Sequence, residues 1–445
     1  MTASLRRGGI AGVSGAAFGA FAQFVLVMVV TRAFPPSDAG VFFAATALAL
    51  MAAGIAKLDA GNGLVYFIAR AKTYDYLGIS GYIRAALVPC VVVSCLAGVL
   101  LYPRLGPVAA VLPVMVVGDV LLAATRGFGA MRPTVLVDGV LVPCSQLVLV
   151  AVVCATDAVS WLPVAWGAPY VPAMVLAWAA LRGRAPRTPY LPGTARDLWR
   201  HTAPRSMAGA IQAVFQRLDI VIVALLAGPA QAAVYTAATR FKVVGQLANQ
   251  GLAQAVQARL VAALANGERA RAGELYQAAT LWLVLLTWPV WLAYAALAPW
   301  LLRLFGPSYG SAAPVALVLA GTMMVATACG MVDVVLTAAG HTGTSLLNLV
   351  AAITCTVALD VALIPVHGAF GAVLGWSGGM LVKNLLPLWQ LHHRYGLHPF
   401  GRHTLTALRG SAVAWTEERR ERSDRSDEGR RRLPSDRAAS TEWRP

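Results

Sequence analysis

The chain has 445 residues, of which 58% are hydrophobic and only 13% are charged, and its mean hydropathy is +0.65. A soluble globule needs a hydrated surface, so this composition excludes that class and predicts a polytopic membrane protein. The formal net charge is +16, and 17 of the 56 charged side chains fall in the last 30 residues. This tail has too little apolar surface to fold and is predicted to be disordered.

Twelve apolar runs are each long enough to cross the hydrocarbon core of a bilayer, which takes roughly 20 helical residues. A basic stretch follows the sixth run, so the chain divides into two halves of six. After the twelfth run, residues 404–415 start like another span but are too short for a thirteenth crossing. The runs lie near 8–31, 39–57, 81–102, 107–128, 133–156, 161–181, 203–226, 231–257, 276–303, 312–337, 343–366 and 369–391.

The basic residues give the orientation of these spans. Outside the last 30 residues, 20 Lys and Arg lie in loops on the side of the N-terminus, three lie on the other side and four lie inside spans. By the positive-inside rule, both termini are cytoplasmic. The asymmetry also accounts for a pI near 10.1 without a nucleic-acid partner, and the basic linker is interpreted as a stretch that lies near anionic lipid headgroups. The predicted domains are an N-terminal six-helix bundle at 1–182, a cytoplasmic linker at 183–202, a C-terminal six-helix bundle at 203–403 and a cytoplasmic, largely disordered tail at 404–445.

A short repeat supports this division. Residues 39–46 read AGVFFAAT and residues 232–239 read AAVYTAAT, which match at five of eight positions, and each opens the second span of its half. With an even number of spans per half, both halves enter the membrane in the same orientation and are related by an axis along the membrane normal. The predicted fold class is an all-α integral membrane protein with twelve transmembrane helices in two pseudo-symmetric six-helix bundles around a central cavity.

The eighth span has one polar face, since its polar side chains fall within an arc of about 100° when each residue turns the helix by about 100°. Arg240 lies about 120° from Gln246 and is off this face. The turn at Gly228-Pro229 brings Asp219 of the seventh span within reach of both Arg240 and Lys242, so either cation is a candidate partner. The polar face consists of Tyr235, Thr239, Lys242, Gln246, Asn249, Gln250 and Gln257.

Other ionisable side chains also fall inside spans, where a charge costs about 2.5–3.5 kcal/mol at mid-membrane and is expected to face a cavity or a partner. Arg217 lies in the seventh span and Asp119 near the middle of the fourth. Asp333 and Lys383 both lie in the cytoplasmic half, so they are predicted to form a structural pair. Carboxylates that lie toward span ends, where hydration is expected, are Asp138, Asp333 and Asp360.

Four stretches carry a family resemblance: RAFPPSDAGVFFAATALALMAAGIAKLDAGNGLVYFIARA, RLDIVIVALLAGPAQAAVYTAATRFKVVGQLANQGLAQAVQARLVA, LLRLFGPSYGSAAPVALVLAG and LIPVHGAFGAVLGW. They resemble the polysaccharide biosynthesis branch, related to O-antigen flippases, of the multidrug, oligosaccharidyl-lipid and polysaccharide exporter superfamily. The order of the four stretches along residues 5 to 400 carries the resemblance more than any one of them does.

The resemblance implies a flippase rather than an enzyme, located in the bacterial cytoplasmic membrane. Such a protein moves an undecaprenyl-diphosphate-linked oligosaccharide from the cytoplasmic to the outer leaflet through a cationic central cavity. The implied partners are this lipid-linked substrate, the bilayer, a polysaccharide polymerase and glycosyltransferases. The family's tyrosine, alanine, arginine pattern falls at Tyr235, Ala238 and Arg240, and its aspartate before the turn of the seventh span falls at Asp219.

The predicted substrate site combines these positions with others chosen from burial and polarity alone. The diphosphate is expected to bind Arg240, Lys242, Arg217 and Lys383 through charge-assisted hydrogen bonds, and the sugars to meet Gln246, Asn249 and Gln250. Asp119 and Asp219 are predicted to act in ion coupling or ion pairing. An exchanged H⁺ or Na⁺, with Asp119 as its candidate site, would reset the empty cationic cavity; no cofactor or metal is otherwise expected.

Two other classes of function remain as alternatives. An ion-coupled multidrug or small-solute antiporter of the same fold would prefer an acidic cavity, whereas the seventh and eighth spans lean basic. A membrane polymerase or glycosyltransferase would be expected to carry catalytic carboxylates in a sizeable domain outside the membrane, and the stretches between spans are short. No P-loop pattern occurs, so direct ATP hydrolysis is not expected.

Overall fold

The structure, a computed structural model, describes residues 2–74, 78–186, 190–401 and 404. Within these ranges, the side chains of residues 2–13 and of Val244, Gln250, Gln254, Ala255 and Ala258 are outside the description. Most of the predicted tail, 405–445, is also outside it, and with it the rest of the short apolar stretch that follows the twelfth span.

Every regular element in the described part is helical. The α-helices are α1 Thr2–Ala33, α2 Pro36–Ala56, α3 Ala60–Thr73, α4 Ile79–Leu105, α5 Val111–Gly127, α6 Arg132–Leu136, α7 Val142–Ala155, α8 Leu162–Gly167, α9 Tyr170–Arg182, α10 Thr194–Leu226, α11 Pro229–Thr239, α12 Lys242–Ala265, α13 Arg269–Arg303, α14 Ala313–Ala328, α15 Val332–Ala338 and α16 Thr342–Tyr395. Short 3₁₀ turns lie at Gly106–Ala110, Val159–Trp161 and Pro307–Ala312, and a π-helical turn lies at Val137–Leu141.

These helices make the twelve predicted crossings. Eight stretches are long and apolar enough to span a membrane, and α10, bent by 47° between Thr194–Phe215 and Leu218–Leu226, makes a ninth. Two of the eight, 79–127 and 342–395, each contain two predicted spans, because the helix continues through the turn or is broken only at Gly368. The remaining crossing, α11 with α12, carries the polar face that lowers its hydropathy. The all-α class, the twelve spans and the two six-helix bundles are therefore confirmed.

The turns define two faces of the molecule. One face, which we call the basic face, has the turns near residues 57–59, 74–78, 128–131, 183–193, 266–268, 339–341 and 396–401. The opposite face has the turns near 34–35, 106–110, 156–161, 227–228, 304–312 and 368. Glycine supplies the left-handed backbone at several of these turns, and Gly368, with a φ of 56°, reverses α16.

The two copies of the repeat meet at the centre of the molecule. Helix α2, which holds the first copy, packs against α10 and against α11, which holds the second copy. The approach is close, because a Cβ added at Gly40 would collide with the backbone of Pro229. Further along α2, Gly54 lies directly against Ala213 of α10. Small residues at these positions let the backbones of the two bundles touch, as in other membrane helix pairs.

Helix α10 belongs to both bundles. It begins at Thr194, inside the predicted linker, and its first half packs on the N-terminal bundle. There the Nε1 of Trp199 donates a 3.0 Å hydrogen bond to the carbonyl oxygen of Ala85, and the buried Thr202 lies against Gly63. Its second half, after the bend, contributes Val223 to the apolar core of the C-terminal bundle. The domain boundaries themselves stay a prediction.

Candidate functional site

An ion pair joins α10 to α12 inside the C-terminal bundle. The Nζ of Lys242 lies 3.1 Å from the Oδ2 of Asp219, and the same oxygen accepts a 2.8 Å hydrogen bond from the hydroxyl of Tyr235. The other carboxylate oxygen accepts from the backbone N–H of Ile220 at 2.9 Å. Asp219 is therefore fully satisfied by one cation, one phenol and one amide. The choice that the sequence left open is settled, since Lys242 rather than Arg240 pairs with Asp219.

Aromatic rings surround the ammonium group of this pair. The Nζ of Lys242 lies 4.5 Å from the ring centroid of Trp376 in α16 and 5.6 Å from that of Tyr235. Only 17% of the Lys242 side chain is exposed. Cation–π contacts of this kind stabilise an ammonium where little water reaches it. Lys242 is thus held in place on three sides by side chains of α10, α11 and α16.

Two arginines extend the positive charge around the ion pair. Arg240 lies at the break between α11 and α12, and its buried Nε has no hydrogen-bond partner among the described residues. It is close enough to Arg217 and Asp219 to interact with both electrostatically. Arg217 sits at the bend of α10 and is close enough to Tyr170 of α9, in the N-terminal bundle, for the same kind of interaction. The structure therefore brings Arg217, Arg240 and Lys242 together, which we call the cationic cluster.

A second carboxylate lies beside the cluster, and the sequence analysis was wrong about it. Asp360 was expected to be hydrated, but it is 0% exposed, and neither of its carboxylate oxygens has a hydrogen-bond partner in the described part of the chain. It interacts electrostatically with Asp219 and Lys242. Two carboxylates thus lie near the cationic cluster, Asp219 in the ion pair and Asp360 between the two halves of α16.

The burial of Asp360 follows from a glycine stripe that the sequence analysis did not use. Gly371, Gly375 and Gly379 recur every four residues on the second half of α16 and face its first half. A Cβ added at Gly375 would collide with the carboxylate of Asp360, and one at Gly379 would collide with Thr356. Glycines at this spacing permit close helix packing, so the stripe was a readable signal that Asp360 lies at a helix interface.

Lys383 does not join the cationic cluster, and its predicted pair with Asp333 is not a direct ion pair in the described residues. Lys383 lies over the ring of Phe215, 5.1 Å from its centroid, and is close enough to Asp333 only for a longer-range electrostatic interaction. The carboxylate of Asp333 is exposed, as expected for a position near a span end, and accepts a short hydrogen bond from Ser345. Lys383 stays a predicted headgroup ligand without a contact to the other three cations.

Aromatic side chains of the two bundles meet between the cationic cluster and the opposite face. The ring of Phe24 in α1 lies 5.2 Å from that of Phe241 and 5.3 Å from that of Phe305, measured between centroids. Beyond these rings, the Nε of Arg32 donates a 2.7 Å hydrogen bond to the carbonyl oxygen of Leu304. Phe241 directly follows Arg240 in the chain, so the aromatic contact lies next to the cationic cluster.

Toward the basic face, the polar side chains of α10 and α12 are not covered. Gln216, Gln246 and Asn249 are exposed. Amide side chains are costly to place against lipid, so these residues are best accommodated beside water between the bundles. Gln250, the other predicted sugar contact, has its side chain outside the described part. We call the side of the cluster toward the basic face, where these amides are exposed, the open side, and the side toward the opposite face, where Phe24 meets Phe241 and Phe305, the closed end.

Asp119 lies apart from the cationic cluster, in the N-terminal bundle. Its Oδ2 is 2.7 Å from the Nζ of Lys57, a partner that the sequence analysis did not identify. The pair lies in a cavity of about 310 Å³ that is also lined by Asp59, Arg126 and Asp138. About a third of each partner is exposed, 36% for Asp119 and 39% for Lys57. Asp138 is exposed as expected, in the π-helical turn.

Comparisons with known proteins agree with this architecture. Residues 204–366 match the MatE family model. A comparison with curated protein sequences finds no match. An inward-facing multidrug resistance MATE family transporter of the MOP superfamily is 17% identical, has a TM-score of 0.65 and aligns over 84% of this chain and 94% of its own.

Two further solved structures share the fold. The lipid II flippase MurJ, in an inward closed conformation, is 11% identical, has a TM-score of 0.65 and aligns over 92% of each chain. A MOP superfamily transporter from Pyrococcus furiosus, for which a reversed polarity of the binding pocket suggests a different function, is 17% identical with a TM-score of 0.54 over 87% of this chain and 94% of its own. The chain is a multi-pass membrane protein with the twelve-helix fold of the MATE and MOP-superfamily transporters.

Proposed function

We propose that this protein is a flippase that moves a polyprenyl-diphosphate-linked oligosaccharide from the cytoplasmic to the outer leaflet of a bacterial inner membrane. The observation that carries the proposal is the cationic cluster, which lies between the exposed amides of the open side and the aromatic contact of the closed end. Of its three cations, only Lys242 forms an ion pair with a described carboxylate. The likeness to a lipid II flippase gives the proposal further support.

The chemistry of the substrate fits this arrangement. The polyprenyl tail is apolar and stays in the bilayer, whereas the diphosphate and glycan are too polar to cross hydrocarbon unaided. Guanidinium groups bind phosphate oxygens bidentately, and the buried Nε of Arg240 is free to donate within the described part of the chain. The exposed amides of Gln246 and Asn249 are placed to meet sugar hydroxyls on the open side.

Alternating access then moves the headgroup across. The contact of Phe24 with Phe241 and Phe305 separates the cluster from the opposite face and has to open for release. Two negative charges that cross an inside-negative potential of about 100 mV release roughly 4–5 kcal/mol. The potential therefore favours export and opposes the return of an empty cationic site.

An exchanged H⁺ or Na⁺ would offset that return step. Asp119 remains the first candidate for this coupling, now as the partner of Lys57 in a cavity. Asp360 is a second candidate, because its buried carboxylate has no hydrogen bond among the described groups and is close enough to Asp219 and Lys242 to interact with both electrostatically. Flipping in proteoliposomes by Asp119→Asn and Asp360→Asn variants, with imposed pH and Na⁺ gradients, tests the coupling. A flipping rate that is unaffected by the pH gradient and by the Na⁺ gradient would refute the ion coupling.

The rival is an ion-coupled multidrug antiporter, favoured by the likeness to a multidrug MATE transporter and by the carboxylates Asp219 and Asp360 beside the cluster. A deletion strain separates the two functions. The flippase predicts loss of surface polysaccharide with accumulation of a diphosphate-linked intermediate, and unchanged drug resistance. Restoration by the wild-type gene but not by Arg240→Gln, at equal abundance of the two proteins in the membrane, would support the proposed site. A deletion strain with normal polysaccharide and raised drug sensitivity would refute the proposal.

A further inference from the structure

A separate cavity lies at the basic face, away from the cationic cluster. It has a volume of about 660 Å³ and is walled by α3, the start of α4 and the first turns of α10. Its residues recur at helical spacing, so each helix presents one face to it. The lining residues are Tyr66, Phe67, Arg70, Ala71, Tyr74, Tyr82, Asp197, Arg200 and His201.

Aromatic rings line this cavity and connect α3 with α4 and α10; Phe67 and Tyr82 are buried at its floor, whereas Tyr66 and His201 are exposed. The ring of Tyr66 stacks on that of His201 with centroids 4.8 Å apart and planes inclined by 12°. The ring of Phe67 stacks on Tyr82 at 4.9 Å and meets His201 edge-on at 5.7 Å. The stacked rings hold the α3 and α10 walls at a fixed separation.

Charged groups form the rim. Arg70 and Arg200 are exposed, and neither forms an ion pair within the described ranges. The carboxylate of Asp197 also lines the cavity, so the two arginines and this carboxylate together carry one excess positive charge. This balance suits a ligand with a single negative charge, and Asp197 offers an acceptor for a hydroxyl on the same ligand.

The depth of the cavity follows from the ends of the helices around it. Tyr82 lies near the start of α4, and Ile68, the neighbour of Phe67, lies against Gly127, the last residue of α5. The cavity therefore lies at the basic-face ends of these helices, at the level of the lipid headgroups or in the water just outside them. Arginine is well suited to phosphate at such a boundary, since its planar fork is weakly hydrated and binds two oxygens at once.

We propose that this cavity binds a phosphodiester that carries a hydroxylated substituent, independently of the proposed transport site. Arg70 and Arg200 hold the phosphate, Asp197 accepts a hydrogen bond from a hydroxyl, and the aromatic floor packs against the carbon face of the substituent. The ligand has two sources: the headgroup of an anionic lipid in the adjoining leaflet, or a soluble phosphodiester.

The test is binding to the purified full-length protein in detergent. The probes are short-chain dihexanoyl phosphatidylglycerol, dihexanoyl phosphatidylcholine and soluble glycerophosphoglycerol, and the readout is a saturable thermal shift confirmed by native mass spectrometry. We expect saturable binding of phosphatidylglycerol, weakened by about tenfold or more in Arg70→Gln with Arg200→Gln, since the charge-assisted hydrogen bonds to the phosphate are lost. The matched control Arg196→Gln removes an exposed cation of α10 that does not line the cavity and should bind like the wild type.

The other measurements decide whether the ligand is a lipid headgroup or a soluble phosphodiester. Equal affinity for glycerophosphoglycerol assigns a soluble ligand, and a requirement for the acyl chains assigns a lipid; both support the site. If the double arginine variant fails to fold, Asp197→Asn, which retains both cations, is expected to lower the preference for phosphatidylglycerol over dihexanoyl phosphatidic acid. Equal binding of phosphatidylcholine, equal losses in Arg196→Gln, or an unchanged preference in Asp197→Asn would overturn the proposal.

Discussion

Lys242 and Asp219 form an ion pair that is largely removed from solvent, with 17% and 4% of their side chains exposed. A buried pair contributes little net stability over an apolar pair, but removal of one partner leaves an uncompensated charge. Tyr235 also donates to Asp219, so the carboxylate keeps a hydrogen bond when Lys242 is removed. The main effect of the pair is therefore to fix the position of the Lys242 ammonium group.

The first prediction concerns this pair. We expect Lys242→Met or Asp219→Asn alone to lower the free energy of unfolding by about 3 kcal/mol or more, because one buried charge is left alone. The double variant should recover much of that loss. Unfolding in mixed micelles of increasing SDS content measures the four proteins of the cycle. Additive losses in the double variant would show that the two side chains are not coupled.

Arg240 gives the second prediction, because its buried Nε has no hydrogen bond in the described part of the structure. Replacement by Gln removes a buried charge without breaking a described ion pair, so the free energy of unfolding should stay the same or rise. Transport should fall by about tenfold or more, as expected when a charge-assisted hydrogen bond to a ligand is lost. The exposed Arg269→Gln, at the start of α13, is the control for both assays. A parallel fall of stability and transport would indicate a structural arginine.

At the scale of helices, the contact of α2 with α11 sets how closely the bundles approach. Gly40 lies against the backbone of Pro229, and a backbone has no side-chain rotamer with which to move aside. We expect Gly40→Ala to destabilise the protein by about 1–3 kcal/mol through overpacking. Gly251 of α12 is the matched control, since nothing lies within 4 Å of a Cβ added there. Gly251→Ala should be neutral or stabilise the helix by about 0.5–1 kcal/mol. Equal effects of the two changes would show that α2 and α11 are not in close contact.

Helices are also where the sequence was most and least informative. Apolar runs and Gly or Pro turns predicted the twelve crossings, because hydropathy and turn signals are local, whereas the equivalence of α2 and α11 that the repeat suggests stays a prediction. The environment of Asp360 was not predicted, since its distance from the end of a span says nothing about which helix covers it. The partner of Asp119 was missed for the same reason: Lys57 lies on another helix, and only packing brings the two together. Helical periodicity left both Arg240 and Lys242 as possible partners of Asp219, and only the three-dimensional structure shows that Lys242 forms the ion pair.

At the scale of the whole molecule, the structure has one closed end and one open side. The closed end is held by Phe24 against Phe241 and Phe305 and by Arg32 against Leu304. Transport by alternating access requires these contacts between the bundles to separate. Helix α10 is bent and packs on both bundles, so a movement of one bundle relative to the other has to change the shape or the contacts of this helix.

A cross-link tests this requirement. A short bismaleimide that joins Arg32→Cys to Leu304→Cys should hold the closed end shut and reduce transport to the background rate. Each single variant, treated with the same reagent, should keep most of its activity, and treated wild-type protein accounts for reaction at the native cysteines. Full transport by cross-linked protein would mean that release does not use this end.

The most direct test of the account is flipping of a polyprenyl-diphosphate-linked sugar in proteoliposomes that contain equal amounts of folded protein. The account predicts that Arg240→Gln combined with Lys242→Gln lowers the initial rate by about tenfold or more relative to the wild type, whereas Arg269→Gln leaves it unchanged. An undiminished rate in the double variant would contradict the claim that the cationic cluster holds the diphosphate.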